Sequence, residues 1–510
     1  MIDTVSSVLG LLASSGTFER PPIDWHAVAP ELCLLGGGAL LTLIDVIWLE
    51  KGRSITSALA GIVMLIPIIP ILTLAIDSED RSMFKGAFVV DKYSLIIKAL
   101  FLLSGYLVVL LSTNYIAEGD YWENEYYGML ISSVLGMVLM ASARDLISIF
   151  VALELLSIPA YLLATWRKKD HKSNEAGLKY YLMGVFASAI MLYGMSLIFG
   201  VSGSTILEEI NESITSGGAN TSVITLGVTF VIIGFGFKVS AFPFHTWAPD
   251  TYEGAPTPVT AFLAVASKAA GFVALVNIVI IGFIGQGDVF QPLIWILAAL
   301  SMTAGNVMAL RQTNIVRLMA YSGIAQAGFI LAPLAVAGEG SIIANKSVSA
   351  VVTYLVIYAA MNIGAFGIIL AVSRKTKTAD LESYNGLFRT SPSLAIIMTI
   401  FLASLAGIPP LGGWYAKFSV FTSLTSAGTN WGYGLAVVAA VNAVIAFGYY
   451  GKLAMRMWVE EPHESLKGEM TVPASLLTAL VLTTGLTIAF GVAPGIVTHF
   501  TDVSLVAFGS

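Results

Sequence analysis

The chain has 510 residues, of which 56% are hydrophobic and 11% charged. A water-soluble protein carries about 25% charged residues, so this composition excludes a soluble enzyme and a disordered scaffold. A formal net charge of −6 excludes the basic field that attracts nucleic acid, and the single cysteine, Cys33, excludes a disulfide framework or thiolate cluster.

Residues before about 28 include Asp3, Glu19 and Arg20 and lack the basic-then-apolar pattern of a cleaved signal peptide. The first apolar run is therefore expected to drive insertion. A helix crosses the hydrocarbon with about 20 apolar residues. Runs of that kind occupy 28–49, 55–76, 92–112, 126–142, 144–166, 175–200, 222–241, 256–283, 291–311, 315–338, 347–372, 393–427, 431–457 and 472–492. The gap at Arg144 is short enough to merge the fourth and fifth. Continuous runs predict helices; a barrel has short alternating segments. The expected fold class is an all-α, polytopic membrane protein with about 14 transmembrane helices.

With the amino terminus outside, the odd-numbered connections hold fifteen of the 26 Lys and Arg residues, Lys51, Arg167, Arg374 and Lys452 among them. The outer connections hold six, and the acidic loop 201–221 has none. This bias predicts both ends on the outer side.

Five cations remain inside apolar runs: Lys98, Lys179, Lys238, Lys268 and Lys417. A charge at the bilayer centre costs about 2.5–3.5 kcal/mol and marks ion or proton pathways. Lys98 and Lys179 lie near the start of their runs and are placed to snorkel. Lys268 is twelve residues into its run, about 18 Å along a helix. Glu154 follows Asp145 by nine residues, about 14 Å, and is also central. One Glu with one Lys reads as a packing salt bridge. One central Glu with several lysines leaves ammonium groups without counter-ions, and such groups can pass protons.

Two runs are too long for one straight crossing. The seventh, extended to Asp250, is interrupted by Pro243 and Pro249, with Lys238 just before the break. The twelfth is interrupted by Pro409, Pro410, Gly412 and Gly413, with Lys417 just after it. Proline removes a backbone donor, and a broken helix persists in a membrane only where protein or a wet cavity satisfies the freed groups. Paired interruptions of this kind point to a transport site; the bland alternative is two kinks without functional meaning. Spans seven and twelve differ by an odd number and cross in opposite directions. They predict two inverted five-helix repeats, 126–283 (helices 4–8) and 291–457 (helices 9–13), with broken helices 7 and 12. An amino-terminal three-helix segment, 1–125, and a carboxy-terminal helix, 472–510, flank them.

No phosphate-binding loop, H-E-x-x-H pair or Cys/His cluster occurs, and the five histidines are scattered. No cofactor is expected in this chain. His245, in the first break, is a proton relay or a structural hydrogen-bonding group.

The stretches "FGFKVSAFPFHTWAPDTYEGAPTPVTAFLAVASKAAGF", "RQTNIVRLMAYSGIAQAGFI" and "GIPPLGGWYAKF" closely resemble the antiporter-like membrane subunits of respiratory complex I and of Mrp-type Na⁺/H⁺ antiporters. The resemblance runs from about residue 90 to the end. Within the group it is strongest to the N-type subunits of NADH:quinone oxidoreductase, because Lys417 stands where M-type subunits carry Glu and no long lateral helix follows span 14. The resemblance implies that Glu154 pairs with Lys238, that Lys268 is the central connecting lysine, and that Lys417 communicates with the outer side. It implies an auxiliary role for Lys179. It also implies proton translocation coupled to quinone reduction elsewhere, with flavin, iron–sulfur clusters and quinone in partner subunits. The partners implied are other complex I membrane subunits, neighbouring antiporter-like subunits included. A bacterial plasma membrane, or a thylakoid, is the implied location, and an Mrp-type Na⁺/H⁺ antiporter subunit is the alternative. Gln326 stands where many relatives carry His and cannot titrate. Separating Glu154 from Lys238 is expected to release a proton towards Lys268 and then Lys417. A pair 4 Å apart is worth about 4 kcal/mol at an effective dielectric of 20, and moving one charge costs about 2.3 kcal/mol per 100 mV.

Overall fold

A computed structural model describes residues 21–47, 53–119, 123–216, 221–468 and 470–505. They are almost entirely helical: α1 Ala29–Ile47, α2 Arg53–Leu65, α3 Ile68–Asp77, α4 Lys92–Glu118, α5 Glu123–Ser142, α6 Leu146–Ala164, α7 His171–Ser202, α8 Leu207–Thr215, α9 Thr221–Lys238 and α10 Trp247–Gly254. A helix continues over Thr257–Gly282 (α11), with π-turns at Leu263–Ser267 and Ile278–Gly282. Then follow α12 Gly287–Ala309, α13 Ile315–Leu331, α14 Ser341–Thr376, α15 Pro392–Ala406, α16 Gly412–Ser426, α17 Asn430–Val459, α18 Ala474–Val492 and α19 Gly495–Thr501. Twelve of the helical segments are long and apolar enough to cross a membrane, and two shorter apolar helices, α1 and α15, complete the spans expected from sequence.

Composition decides where each helix sits. α11, α13 and α14 are buried along nearly their whole apolar length and form the centre. Peripheral helices turn large apolar side chains outward. Phe186 on α7 is 69% exposed and Val444 on α17 is 75% exposed. Apolar surface of this extent is stable against hydrocarbon, and the chain is a multi-pass membrane protein. Within the two predicted repeats the packing corresponds. Spans 4 and 5 (α5, α6) pack together, as do spans 9 and 10 (α12, α13), and the broken spans pack on α7 and α14 respectively.

Two features depart from the sequence reading, and a third point, the gap at Arg144, follows it. The connection before α4 is an antiparallel hairpin of β1 Arg81–Met83 and β2 Phe88–Val90. The short gap at Arg144 does separate two spans. There the Arg144 N–H donates to the Ala87 carbonyl (2.9 Å), its carbonyl accepts from Leu207 N–H (2.9 Å), and its buried guanidinium holds Asp91 at 3.1 Å. Pro249 does not interrupt a helix, since it lies in the first turn of α10, where a missing N–H costs no hydrogen bond.

Candidate proton path through the helix bundle

The first break follows Lys238, the last residue of α9. Freed backbone groups at the break are satisfied from within the protein: the Trp247 indole donates to the Phe237 carbonyl (3.0 Å), and the Phe242 N–H donates to Ser301 Oγ (2.8 Å). Lys238 is buried, and its Nζ donates to Ser157 Oγ on α6 at 2.8 Å and to the Tyr180 hydroxyl on α7 at 3.4 Å. His245 is buried in the same break, stacked on Phe242.

Glu154 sits one turn before Ser157, half-buried on α6. Its Oε1 accepts from Ser188 Oγ on α7 at 2.6 Å. Glu154 and Lys238 feel each other electrostatically, but each is bonded to a different serine. The expected contact between them is therefore open here. The hydroxyls of Ser157 and Ser188 satisfy the two groups separately.

Lys268 follows the first π-turn of α11, a widened turn of the kind frequent at functional sites. It is 2% exposed, and its Nζ donates to the Gly323 carbonyl on α13 at 3.0 Å. The neighbouring Ser322 is hydrogen-bonded to the Tyr450 hydroxyl. Gln326, one turn on, accepts from the Tyr354 hydroxyl through Oε1. Its Nε2 donates to the Tyr450 hydroxyl (3.3 Å) and to the Leu405 carbonyl (3.1 Å).

That carbonyl belongs to the second break. α15 stops at Ala406, and Gly407 takes a left-handed conformation (φ 94°). The orphaned last carbonyls need donors. Lys417 of α16 supplies them, its Nζ lying 3.0 Å from the Leu405 oxygen and 2.8 Å from the Ala406 oxygen, with the Phe329 ring 4.9 Å away. The ammonium thus sits at the negative end of a half-helix, where a cation is stabilised. Among the described residues no carboxylate forms an ion pair with Lys238, Lys268 or Lys417.

The other two lysines lie off this row. Lys98 does not snorkel. It is fully buried against Glu31 of α1 at 2.7 Å, so Glu154 is not the only carboxylate inside the spans. Lys179 does not join the buried row either. Its half-exposed side chain bonds Glu175 (2.7 Å) and Asp250 (2.8 Å), and Asp250 also holds Arg317 at 2.8 Å. Its position near the start of α7 leaves it at the Lys- and Arg-rich end of the bundle, bonded to α10.

Two cavities flank the row. One of about 470 Å³ opens on the Lys- and Arg-rich face, cytoplasmic by the charge bias. It is lined by Asn114, Glu118, Arg167, Tyr252, Glu253 and Arg374. The other, of about 880 Å³, opens on the opposite face between α14, α16 and α19. Its wall carries Ser349, Thr353, Ser419, Thr422 and Ser423 beside Lys92, Lys346 and His499.

Sequence reasoning missed the hydroxyls that hold Glu154 and Lys238 and that bond Gln326. Ser157, Tyr180, Ser188 and Tyr450 stand alone in apolar helices and carry no pattern.

Residues 143–443 match the family described as NADH:quinone oxidoreductase/Mrp antiporter, TM. The chain is 37% identical over 482 residues to NADH-quinone oxidoreductase subunit N of Trichlorobacter lovleyi, covering 94% of this chain and 96% of that one. It is 36% identical over 495 residues to the subunit N of Brevibacillus brevis, covering 94% and 95%. Among solved structures it is similar to a chain of respiratory complex I from Thermus thermophilus with bound aureothin, with a TM-score of 0.76, 30% identity and coverage of 92% and 98%. It shares the fold of a chain in the Mrp complex of a Dietzia species (TM-score 0.80, 18% identity, coverage 94% and 97%). The chain belongs to the NADH:quinone oxidoreductase/Mrp antiporter transmembrane family.

Proposed function

We propose that this chain is the N-type antiporter-like subunit of a proton-translocating NADH:quinone oxidoreductase, a membrane subunit without redox chemistry of its own. Its partners are the other subunits of that complex. Flavin, iron–sulfur clusters and the quinone site belong to those partners, and the membrane is a bacterial plasma membrane. Residues 126–283 and 291–457 act as the two inverted halves of one path, with the segments 1–125 and 472–510 flanking them in the sequence.

One observation carries this reading. Three buried lysines without carboxylate partners among the described residues are held at the two breaks and between them: Lys238 by hydroxyls, Lys268 by a carbonyl, and Lys417 by carbonyls, one of which also takes the Gln326 amide. A buried ammonium that lacks a carboxylate partner is held by dipoles alone, so a small electrostatic change decides whether it keeps its proton. Glu154 supplies that change. When it closes on Lys238 the ammonium is stabilised, and when it withdraws to Ser188 the proton moves on towards Lys268. A pair 4 Å apart contributes about 4 kcal/mol at an effective dielectric of 20, against about 2.3 kcal/mol for one charge across 100 mV. One pair opening is therefore sufficient to lift a proton. Lys417 hands protons to the outer cavity. Lys179 has an auxiliary part, tying α7 to the cytoplasmic ionic cluster through Asp250.

The test is proton pumping by the assembled complex in inverted vesicles. Lys238→Ala and Glu154→Ala are each expected to abolish or sharply reduce it. Normal pumping with normal assembly refutes the roles. The Mrp-type fold match favours a second reading, Na⁺/H⁺ exchange through the same residues. Co-purification with flavin and iron–sulfur subunits separates the two.

A further inference from the structure

Several observations outside the lysine row converge on Tyr252. It belongs to α10, the short helix that follows the first break, and forms part of the inner wall of the cytoplasmic cavity. It is nevertheless 1% exposed, and its hydroxyl has no hydrogen-bond partner. Tyr358 and Tyr180 act on it electrostatically, and the Trp247 ring lies against both Tyr252 (6.0 Å between centroids) and Tyr180 (4.5 Å).

Each of these two leads to a different lysine. The Tyr180 hydroxyl receives the 3.4 Å bond from Lys238. Tyr358, on α14, is itself buried, its hydroxyl beside the Asn362 side chain of the same helix. Its relation to Lys268 is fixed by Gly323. A Cβ placed on Gly323 would stand 3.2 Å from Lys268 Nζ and 3.3 Å from the Tyr358 oxygen. The absent side chain therefore leaves a gap with an amine on one side and a hydroxyl on the other. An unpartnered buried hydroxyl costs about 1–3 kcal/mol and is rare. That of Tyr252, between an open cavity and the buried tyrosines that lead to the amines, is placed to be completed by water.

We infer that Tyr252 is a branch point through which protons from the cytoplasmic cavity reach Lys238 by way of Tyr180 and Lys268 by way of Tyr358 and the gap at Gly323. The inference rests on the proton-carrying reading of the lysines. Each step leaves the tyrosines neutral. A hydroxyl gives its proton to the next oxygen or amine as it gains one on the cavity side, so the net transfer runs from cavity water to a neutral amine. The charged groups around the mouth are Glu118 of α4, Arg167 beyond α6, Glu253 of α10, and Arg374 and Lys377 at the end of α14. They set the local potential, while Tyr252 connects it to the interior.

The experiment uses the whole complex in inverted vesicles, whose cytoplasmic face meets the medium. Proton translocation and NADH oxidation are followed together at several medium pH values for Tyr252→Phe, Gly323→Ala and Lys268→Ala. Tyr252→Phe keeps the ring and its packing on Trp247. It is expected to slow translocation about tenfold or more, since a positioned proton-transfer group contributes about 10²-fold or more. The loss should deepen as the medium pH rises and protons become scarce at the intake. Gly323→Ala closes the gap with one methyl while improving helix propensity, and should lower translocation less, because the Tyr180 branch stays open. Parent-level translocation by Tyr252→Phe, or a loss of the same size at every pH, overturns the branch point. Should Tyr252→Phe fail to assemble, Gly323→Ala decides, and full translocation by it overturns the route to Lys268. If Lys268→Ala also translocates normally, the lysine row itself falls. If Lys268→Ala stops while Tyr252→Phe runs normally, only the branch point does.

Discussion

Lys417 is bonded to two backbone carbonyls at the second break, which raises the question of whether it holds the break together or carries protons. Two substitutions separate these. Lys417→Met removes both donors. The Leu405 carbonyl keeps the Gln326 amide at 3.1 Å, so only the Ala406 carbonyl is orphaned. One buried unpaired carbonyl costs about 1–3 kcal/mol, and losing a cation at the end of α15 adds about 0.3–1 kcal/mol. Relief of the buried charge offsets part of this. Lys417→Arg restores the donors. Its guanidinium can stack on the Phe329 ring, 4.9 Å from the present ammonium, but it does not release a proton near neutral pH. The assay is the ratio of protons translocated to NADH oxidised, with assembly scored by subunit content and thermal stability. Met is expected to lose stability and pumping together. Arg is expected to assemble and hold its stability near that of the parent, yet not to pump. An Arg variant that pumps at the parent ratio refutes the idea that Lys417 must give up its proton, and leaves it a structural staple.

The remaining perturbations address the surroundings of the row. Glu31→Gln or Lys98→Met breaks a fully buried pair and should destabilise the amino-terminal helices by about 3–5 kcal/mol; Glu31→Leu with Lys98→Met should recover most of that in a thermal double-mutant cycle, with pumping retained. Gly407→Ala forces a side chain into a φ of 94° and places its Cβ 2.9 Å from Lys417 Cδ. A loss of about 1–2 kcal/mol from the backbone alone, read as a lower unfolding temperature, is the expected outcome. Gln326→Leu removes the amide between Tyr450 and the Leu405 carbonyl and should uncouple proton movement from NADH oxidation. Gln326→His, which also donates and accepts, should retain coupling, as shown by the same paired assay.

The spans were legible because hydrocarbon imposes a length and a composition on every crossing, and the breaks because proline and paired glycines have few other uses inside such runs. Lys238, Lys268 and Lys417 stood out for the same reason, as charges where oil is the solvent. Glu31 was not recognised because two residues into a span it looks like an interfacial charge; only the packing of α1 on its neighbours seals it over Lys98. Lys179 lies near the start of its run, as expected of a side chain that reaches outward, and what the sequence did not show is its partner, the cluster around Asp250. The separation of Glu154 from Lys238 was invisible too, since which serine a side chain chooses is a matter of rotamers and tenths of an ångström. Pro249 carried a signal in sequence that the first turn of α10 cancels.

The two half-helices that end at the breaks have an electrical consequence. Because spans seven and twelve traverse the bilayer in opposite senses, α9 and α15 bring their carbonyl termini to mid-depth from opposite faces, the first ending on Lys238 and the second on Lys417. Each terminus carries about half a negative charge. The two peptide dipoles point against one another, so at long range their fields cancel and leave a quadrupole, while close by each deepens a well for a cation. A cation at either lysine is thus held without these two half-helices tilting the potential between the two ends of the bundle.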